Sequence, residues 1–252
     1  MSVVHTPAES LLWSYGITEP KQIDLDAIAC DQHAVIRYRH LEGCEARLVA
    51  GKDKAVISVN TLGSSPGRQR FSVAHELAHW LCDRRAGSFL CAKTDIGPQN
   101  ADAKSAESCA NAYASQLLLP TYLVDPWLVG RTTSLATARA LAAEFRSSVT
   151  AAAIKLVKRT TKVAAMVARH GQARLIWHQR SPSMSSDFYV LPELHQETDA
   201  FTLTFGGLAA DRPRREPANR WISGPNIFRL EATSQSIRLP DGTVLSLVVF
   251  GK

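Results

Sequence analysis

The sequence predicts an α+β protein of 252 residues that has two separate groups of strands. One amphipathic helical pattern begins at Ser65-Pro66 and has a stop signal at Gly87, and alternation of period two occurs both before it and near the C-terminus. Between these regions, short alanine-rich helices are expected. We therefore expect three parts, at residues 1–120, 121–161 and 162–252.

The chain before residue 60 is expected to form one helix and a small sheet. Residues 8–15 follow helical spacing, and residues 34–39, 46–50 and 56–59 are rich in branched side chains separated by glycine turns. An exposed edge of such a sheet can bind an extended peptide by adding it as a further strand. The last of these strands, or its neighbour, is the strand expected to bind a peptide.

Residues 75–79 read HELAH inside the amphipathic helix. Residues four apart lie on one helix face, so His75 and His79 can bind a single metal ion. A zinc ion held by two imidazoles and one carboxylate keeps a position open for water, and Glu76 can accept the proton of that water. A five-residue motif can also occur by chance. Here Ser65-Pro66 marks the start of a helix, and the spacing of the apolar residues places both histidines beside a buried stripe. The motif predicts a zinc peptidase.

The third metal ligand is expected at Glu107, near the start of a second, alanine-rich helix that ends before Pro120. Asn111 lies four residues on and shares the face of Glu107, where its amide could hydrogen-bond the far nitrogen of a metal-binding histidine. The alternative is that Glu107 is a solvated residue favoured by the helix dipole.

Residues 70–79 (RFSVAHELAH) and 107–120 (ESCANAYASQLLLP) together resemble the ImmA/IrrE (PprI-like) metallopeptidases. The resemblance implies a zincin-like domain with the zinc ligands His75, His79 and Glu107 and with Glu76 as general base. It also implies cleavage of a helix-turn-helix repressor, often after DNA damage, which releases genes for repair, mobile elements or anti-phage defence. The resemblance further implies that the C-terminal part of the chain is similar to GAF or PAS-like domains.

Residues 137–145 and 149–157 form two short helical patterns separated by three residues, a helix-turn-helix-like spacing. A DNA-reading version would expose polar residues on the second helix, which instead is mostly alanine, with only Ser148, Thr150 and Lys155 near its start. A packing scaffold is therefore favoured over a DNA reader. Recognition of the repressor substrate is a further possibility.

The C-terminal part is expected to be a mixed α/β sensor domain. Strands are predicted at residues 163–168, 173–177, 200–205 and 244–250, with a turn at Pro240-Asp241-Gly242. No motif in this region specifies a ligand.

Basic residues surround one tryptophan of the C-terminal part, and the chain has a net charge of +6 and a pI near 9.2. The residues are Arg212, Arg214, Arg215, Arg220 and Trp221. Arginines beside an aromatic ring suit single-stranded nucleic acid, through phosphate contacts and base stacking. Single-stranded DNA is thus one candidate for an activating signal, and a solvated loop is the common alternative.

Five cysteines are scattered without CxxC pairs, so reduced thiols are expected. Cys82 and Cys109 are expected in the helical core. Cys91 falls in the connection between the two ligand-bearing helices, where its thiolate could fill the open position on zinc and inhibit the enzyme. The alternative is a small buried residue that anchors this loop.

The chain has no apolar stretch long enough to cross a membrane and no signal peptide, so cytoplasmic location is expected.

The sequence does not indicate an oligomeric state. It also does not select among Tyr113, Tyr122 and His178 as the group that stabilises an oxyanion. The alternative function is a DNA-binding regulator with structural zinc. Glu76 argues against it, because a closed structural site has no use for a general base.

Overall fold

The structure, a computed structural model, describes residues 5–63, 65–82, 89–91, 105–208 and 212–251, with the backbone alone at 89–91 and 105. The chain divides into two compact units. The N-terminal unit is Met1–Val129 with Leu141–Ser148, and the C-terminal unit is Gly130–Ala140 with Val149–Lys252. The α+β class expected from the sequence is confirmed. The two units divide the segment 121–161 between them.

The N-terminal unit contains a four-stranded sheet and five complete helices among its described residues. The helices are α1 (Pro7–Ser14), α2 (Leu25–Asp31), α3 (Pro66–Cys82), α4 (Ser105–Leu118) and α5 (Thr121–Leu128). The strands are β1 (Ala34–Arg39), β2 (Ala46–Ala50), β3 (Ala55–Asn60) and β4 (Phe89–Cys91), in the order β1-β3-β2-β4. Strand β1 is parallel to β3, and the other pairs are antiparallel.

Helix α3 lies at the centre of this unit. It packs on β2 and β3, whose inward side chains, including Leu48, Ile57 and Val59, are buried. The ten residues from Phe71 to Trp80 are all buried, which means that the middle of α3 is covered on every side. Polar side chains in that stretch are therefore removed from water.

Strand β3 is an interior strand, paired with β1 on one side and β2 on the other. The last of the three N-terminal strands therefore cannot bind an extended peptide, because both of its hydrogen-bonding edges are occupied. Within the part of the sheet that the structure describes, the edges are β1 and β4.

The turn of the helix-turn-helix-like segment is packed against the start of α3. It follows α6 (Leu135–Glu144), and its backbone N–H groups at Arg146 and Ser147 donate to carbonyls of the last turn of α6. Arg146 has a positive φ of 50°, and its guanidinium donates to the carbonyl oxygens of Lys21 and Ile23 at 3.1 and 2.8 Å. A Cβ atom on Gly67 would lie 2.6 Å from the backbone of Ser147, so only glycine allows this approach.

The C-terminal unit contains a five-stranded antiparallel sheet. Its strands are β5 (Ala164–Gly171), β6 (Arg174–Arg180), β8 (Arg214–Pro217), β10 (Glu231–Arg238) and β11 (Val244–Gly251). Their order in the sheet is β6-β5-β11-β10-β8. Two shorter strands, β7 (Tyr189–Val190) and β9 (Ile222–Ser223), pair with each other. The mixed α/β character of this unit is confirmed, and its likeness to GAF or PAS-like domains stays a prediction.

Helix α7 (Val149–Arg159) packs on this sheet at β5 and β6 through a face that includes Ala152, Leu156 and Val157. Lys155, one of the polar residues considered for DNA contact, is also buried. The packing-scaffold interpretation of this helix is therefore the better one, since the face is used inside the unit.

One predicted strand is wrong. Residues 200–205 overlap helix α8 (Asp199–Thr204), which begins after Thr198 because the Thr198 hydroxyl accepts the backbone N–H of Phe201. The cap outweighs the β-propensity of the aromatic and threonine residues that follow it. No helix in the described part of the chain is both long enough and apolar enough to cross a membrane.

Candidate metal centre

The middle of α3 carries His75, Glu76 and His79, and all three side chains are fully buried. Apolar residues around them, Ala74, Leu77 and Ala78, are also inaccessible to water. Burying three ionisable groups in one helical turn is costly unless they have charged or polar partners or bind a metal ion. Such a cluster therefore indicates a function.

Three donor atoms converge at this point. The Nε2 atoms of His75 and His79 are 3.1 Å apart, and the Glu107 carboxylate of α4 lies 3.2 Å from the first and 3.5 Å from the second. In a tetrahedral zinc site with bonds of about 2.0–2.1 Å, neighbouring donors are about 3.3–3.4 Å apart. The three separations bracket this value, so the donor set fits a zinc ion.

Burial and the neighbouring His79 lower the pKa of His75 to about 3, an effect that a hydrogen bond with Asn111 partly offsets. The imidazole of His75 is therefore neutral near pH 7 and offers a lone pair, which is the form that binds metal ions. Two imidazole nitrogens only 3.1 Å apart gain most when a cation is placed between them.

Asn111 of α4 contacts His75, one of the two histidines of the donor cluster. A side-chain hydrogen bond between them raises the pKa of the His75 ring, so Asn111 lies next to the donor cluster. Helical spacing from Glu107 placed Asn111 on this face. Its bond to the far nitrogen of a metal-binding histidine, the role expected from the sequence, stays a prediction.

The connection between the two ligand-bearing helices includes a strand at Phe89–Cys91, which pairs antiparallel with β2 so that Cys91 lies opposite Ala46. A loop was expected there. The side chain of Cys91 lies outside the described residues, and its role as an inhibitory thiolate stays a prediction. Cys82 and Cys109 are exposed rather than buried in the core.

Of the three candidates for oxyanion stabilisation, Tyr122 is used elsewhere: its hydroxyl donates to the Ile17 carbonyl at 2.8 Å. Burial raises the pKa of Tyr122 and of Tyr113 to about 12, so both hydroxyls keep their protons. His178 lies on β6 of the C-terminal unit. Among the residues that the structure describes, no contact selects one of them for catalysis.

Trp221 of the C-terminal unit is only 2% exposed, which overturns the prediction that it stacks on a nucleic-acid base. Its indole N–H donates to Glu216 at 2.8 Å, and the hydroxyl of Ser234 donates to the same carboxylate oxygen at 2.5 Å. Glu216 is buried as well. Glu216, which organises this polar group, was not predicted from the sequence.

Three of the four arginines near Trp221 also have acidic partners. Arg214 pairs with Asp199 at 2.5 Å, Arg215 with Glu231 at 3.2 Å, and Arg220 with both Glu197 and Glu216. Arg212 is exposed and has no ion pair among the described residues. Since these pairs neutralise the charge locally, the cluster does not form the basic surface that phosphates require.

Comparison with known proteins identifies the family of the region that contains the donor cluster. The model of the IrrE N-terminal-like domain (Peptidase M78) matches residues 31–157, which is half of the chain and includes His75, His79 and Glu107. A Mycobacterium tuberculosis transcriptional regulator has a similar fold, with a TM-score of 0.58 and 14% identity over 96% of this chain and 74% of that one. None of the curated proteins matches. The zincin-like fold expected for the N-terminal unit is confirmed, and the chain belongs to the IrrE N-terminal-like family of peptidases.

Proposed function

We propose that this protein is a zinc-dependent endopeptidase in which His75, His79 and Glu107 bind the metal and Glu76 is the general base. The convergence of three donor atoms at 3.1–3.5 Å carries this proposal. Two imidazoles and one carboxylate form a ligand set typical of catalytic zinc, because it leaves a fourth position open.

A zinc ion bound there would supply Lewis acidity toward water and toward the carbonyl of the scissile peptide bond. The buried imidazoles of His75 and His79 would hold the ion with their Nε2 atoms. Glu76 follows His75 directly in the same buried turn, where its carboxylate would accept a proton from the attacking water and give it to the leaving amine. A site with three protein ligands and a neighbouring carboxylate suits hydrolysis better than structural zinc.

The substrate that we propose is a helix-turn-helix repressor, bound as an extended segment along β4. This strand pairs with β2 on one side and is an edge within the described sheet. It also follows the metal-binding helix directly in the chain and precedes the helix of Glu107. An edge strand supplies free backbone N–H and C=O groups, which bind a peptide irrespective of its side chains. Cleavage in the cytoplasm would then release genes for DNA repair or phage defence.

Co-expression with a candidate helix-turn-helix repressor tests the proposal. Wild type, Glu76→Gln and the control Glu42→Gln, which removes an exposed carboxylate of the same unit, would be compared by intact mass with and without DNA damage. Wild type and Glu42→Gln should cut the repressor, and Glu76→Gln should not, while all three retain one zinc ion per chain by elemental analysis. Equal cutting by Glu76→Gln would remove the general base from the mechanism. Stable zinc without cutting under any condition would favour the DNA-binding regulator.

A further inference from the structure

The C-terminal unit contains a cavity of about 250 Å³ at one end of its five-stranded sheet. It is lined by Ala164, Met184, Phe188, Leu230, Phe250 and Gly251. Ala164 begins β5 and lies opposite Phe250 near the end of β11, so two adjacent interior strands of the sheet form the cavity floor. Because Ala164, Phe188 and Leu230 are each partly exposed, the cavity is open to solvent.

The walls of the cavity are part of the packed core. Met184 and Phe250 are nearly buried and belong to the same apolar cluster as Trp221 and Val248. Phe188 packs on the backbone of Gly224, where an added Cβ would lie 2.6 Å from the aromatic ring. The shape of the cavity is therefore set by well-packed residues and does not depend on a free surface side chain.

The chemistry of the lining restricts the ligand. The side chains are hydrocarbon, aromatic or thioether, so a charged ligand would lose hydration without gaining a hydrogen bond or an ion pair. Aromatic rings and a thioether favour a flat aromatic guest. An apolar protein cavity of about 150 Å³ accepts benzene. The present cavity is larger and has room for one or two rings.

We propose that the C-terminal unit binds a small, uncharged, apolar molecule, preferably aromatic, in this cavity. The site is separate from the metal centre and does not depend on peptidase activity. Such a ligand would be a small-molecule signal for the unit. Single-stranded DNA suits this role less well, because Trp221 is buried and arginines near it are paired with acidic residues.

Ligand-observed NMR titration of the 252-residue chain tests this proposal, with toluene and indole as probes and benzoate as a charged probe of similar size. Toluene or indole should bind with a Kd of roughly 0.1–1 mM, and benzoate at least about tenfold more weakly. Absence of saturable binding by both neutral probes, or equal binding of benzoate, would overturn the proposal.

Filling the cavity from its floor distinguishes this site from general hydrophobic association. Ala164→Val and Ala164→Leu should weaken toluene binding stepwise, by at least about tenfold for leucine, with an unchanged or higher Tm. The control Leu208→Ser removes a 96% exposed apolar side chain that does not line the cavity, and it should bind toluene as the wild type does. Unchanged binding in folded Ala164→Leu, or an equal loss in the control, would show that toluene binds elsewhere.

Discussion

His170 should make the C-terminal unit sensitive to mild acid. The side chain lies on β5, is 2% exposed, and has its ring 6.4 Å from that of Trp221. Burial, with a smaller contribution from nearby His178, lowers its pKa from 6.5 to about 4. The folded unit therefore holds His170 neutral in a pH range in which the unfolded chain takes up a proton.

The sign and size of the effect follow from proton linkage. Above pH 6.5 neither state binds the proton, so stability is at its full value, and it falls as the pH drops from 6.5 toward 4. A pKa difference of about 2.5 corresponds to about 3 kcal/mol in total, of which about 2 kcal/mol is lost by about pH 5.

The test is the free energy of unfolding near pH 7.5 and near pH 5, measured by native-state hydrogen exchange of amides in β5 and β11. Wild type should lose about 2 kcal/mol more than His170→Phe, which keeps a buried ring and cannot be protonated. The control His195→Phe, at an exposed position of the same unit, should behave as wild type. Equal losses in wild type and His170→Phe would show that His170 is not held neutral in the folded state.

Three further predictions concern the N-terminal unit. Gly67→Ala should lower the free energy of unfolding of this unit by about 2 kcal/mol, measured in urea, because the new Cβ overlaps the backbone of Ser147. The control Gly251→Ala, in the C-terminal unit and without a close neighbour, should be nearly neutral. Arg146→Gly should cost about 1 kcal/mol less than Arg146→Ala in the same assay, because both lose the guanidinium but glycine relieves the positive φ. Chelation of zinc should lower the Tm of wild type but leave that of His79→Ala unchanged, as followed by scanning fluorimetry.

The candidate metal site was predictable because its geometry is mostly local. The four-residue spacing of His75 and His79 fixes their common face once a helix forms, and the helix itself has a clear start and a clear apolar pattern. The position of Glu107 beside the two histidines depends on one long-range contact, the packing of α4 on α3. The structure forms that contact, with the carboxylate 3.2 Å from His75.

The surroundings of Trp221 were not predictable in the same way, because burial depends on residues that are distant in the chain. Arg214, Arg215 and Arg220 together give a basic pattern, yet their partners Asp199 and Glu231 lie 15 and 16 residues from the arginines that they neutralise. Glu216 gives a weak signal, as an acid within a basic run. Strand β10 was missed for a related reason, since its sequence EATSQSIR has few of the branched residues that mark a strand.

The helix-turn-helix-like segment shows why helix spacing alone does not indicate DNA binding. A DNA reader needs an exposed second helix, whereas α7 packs its apolar face on the sheet of its own unit and buries Lys155. The preceding turn is held in the N-terminal unit, where Arg146 and Arg70 both donate to the carbonyl of Ile23. A non-glycine residue with positive φ costs about 1 kcal/mol, and at Arg146 that conformation directs the guanidinium to Lys21 and Ile23. The strain is thus offset by an intramolecular anchor, and the segment serves packing within the chain.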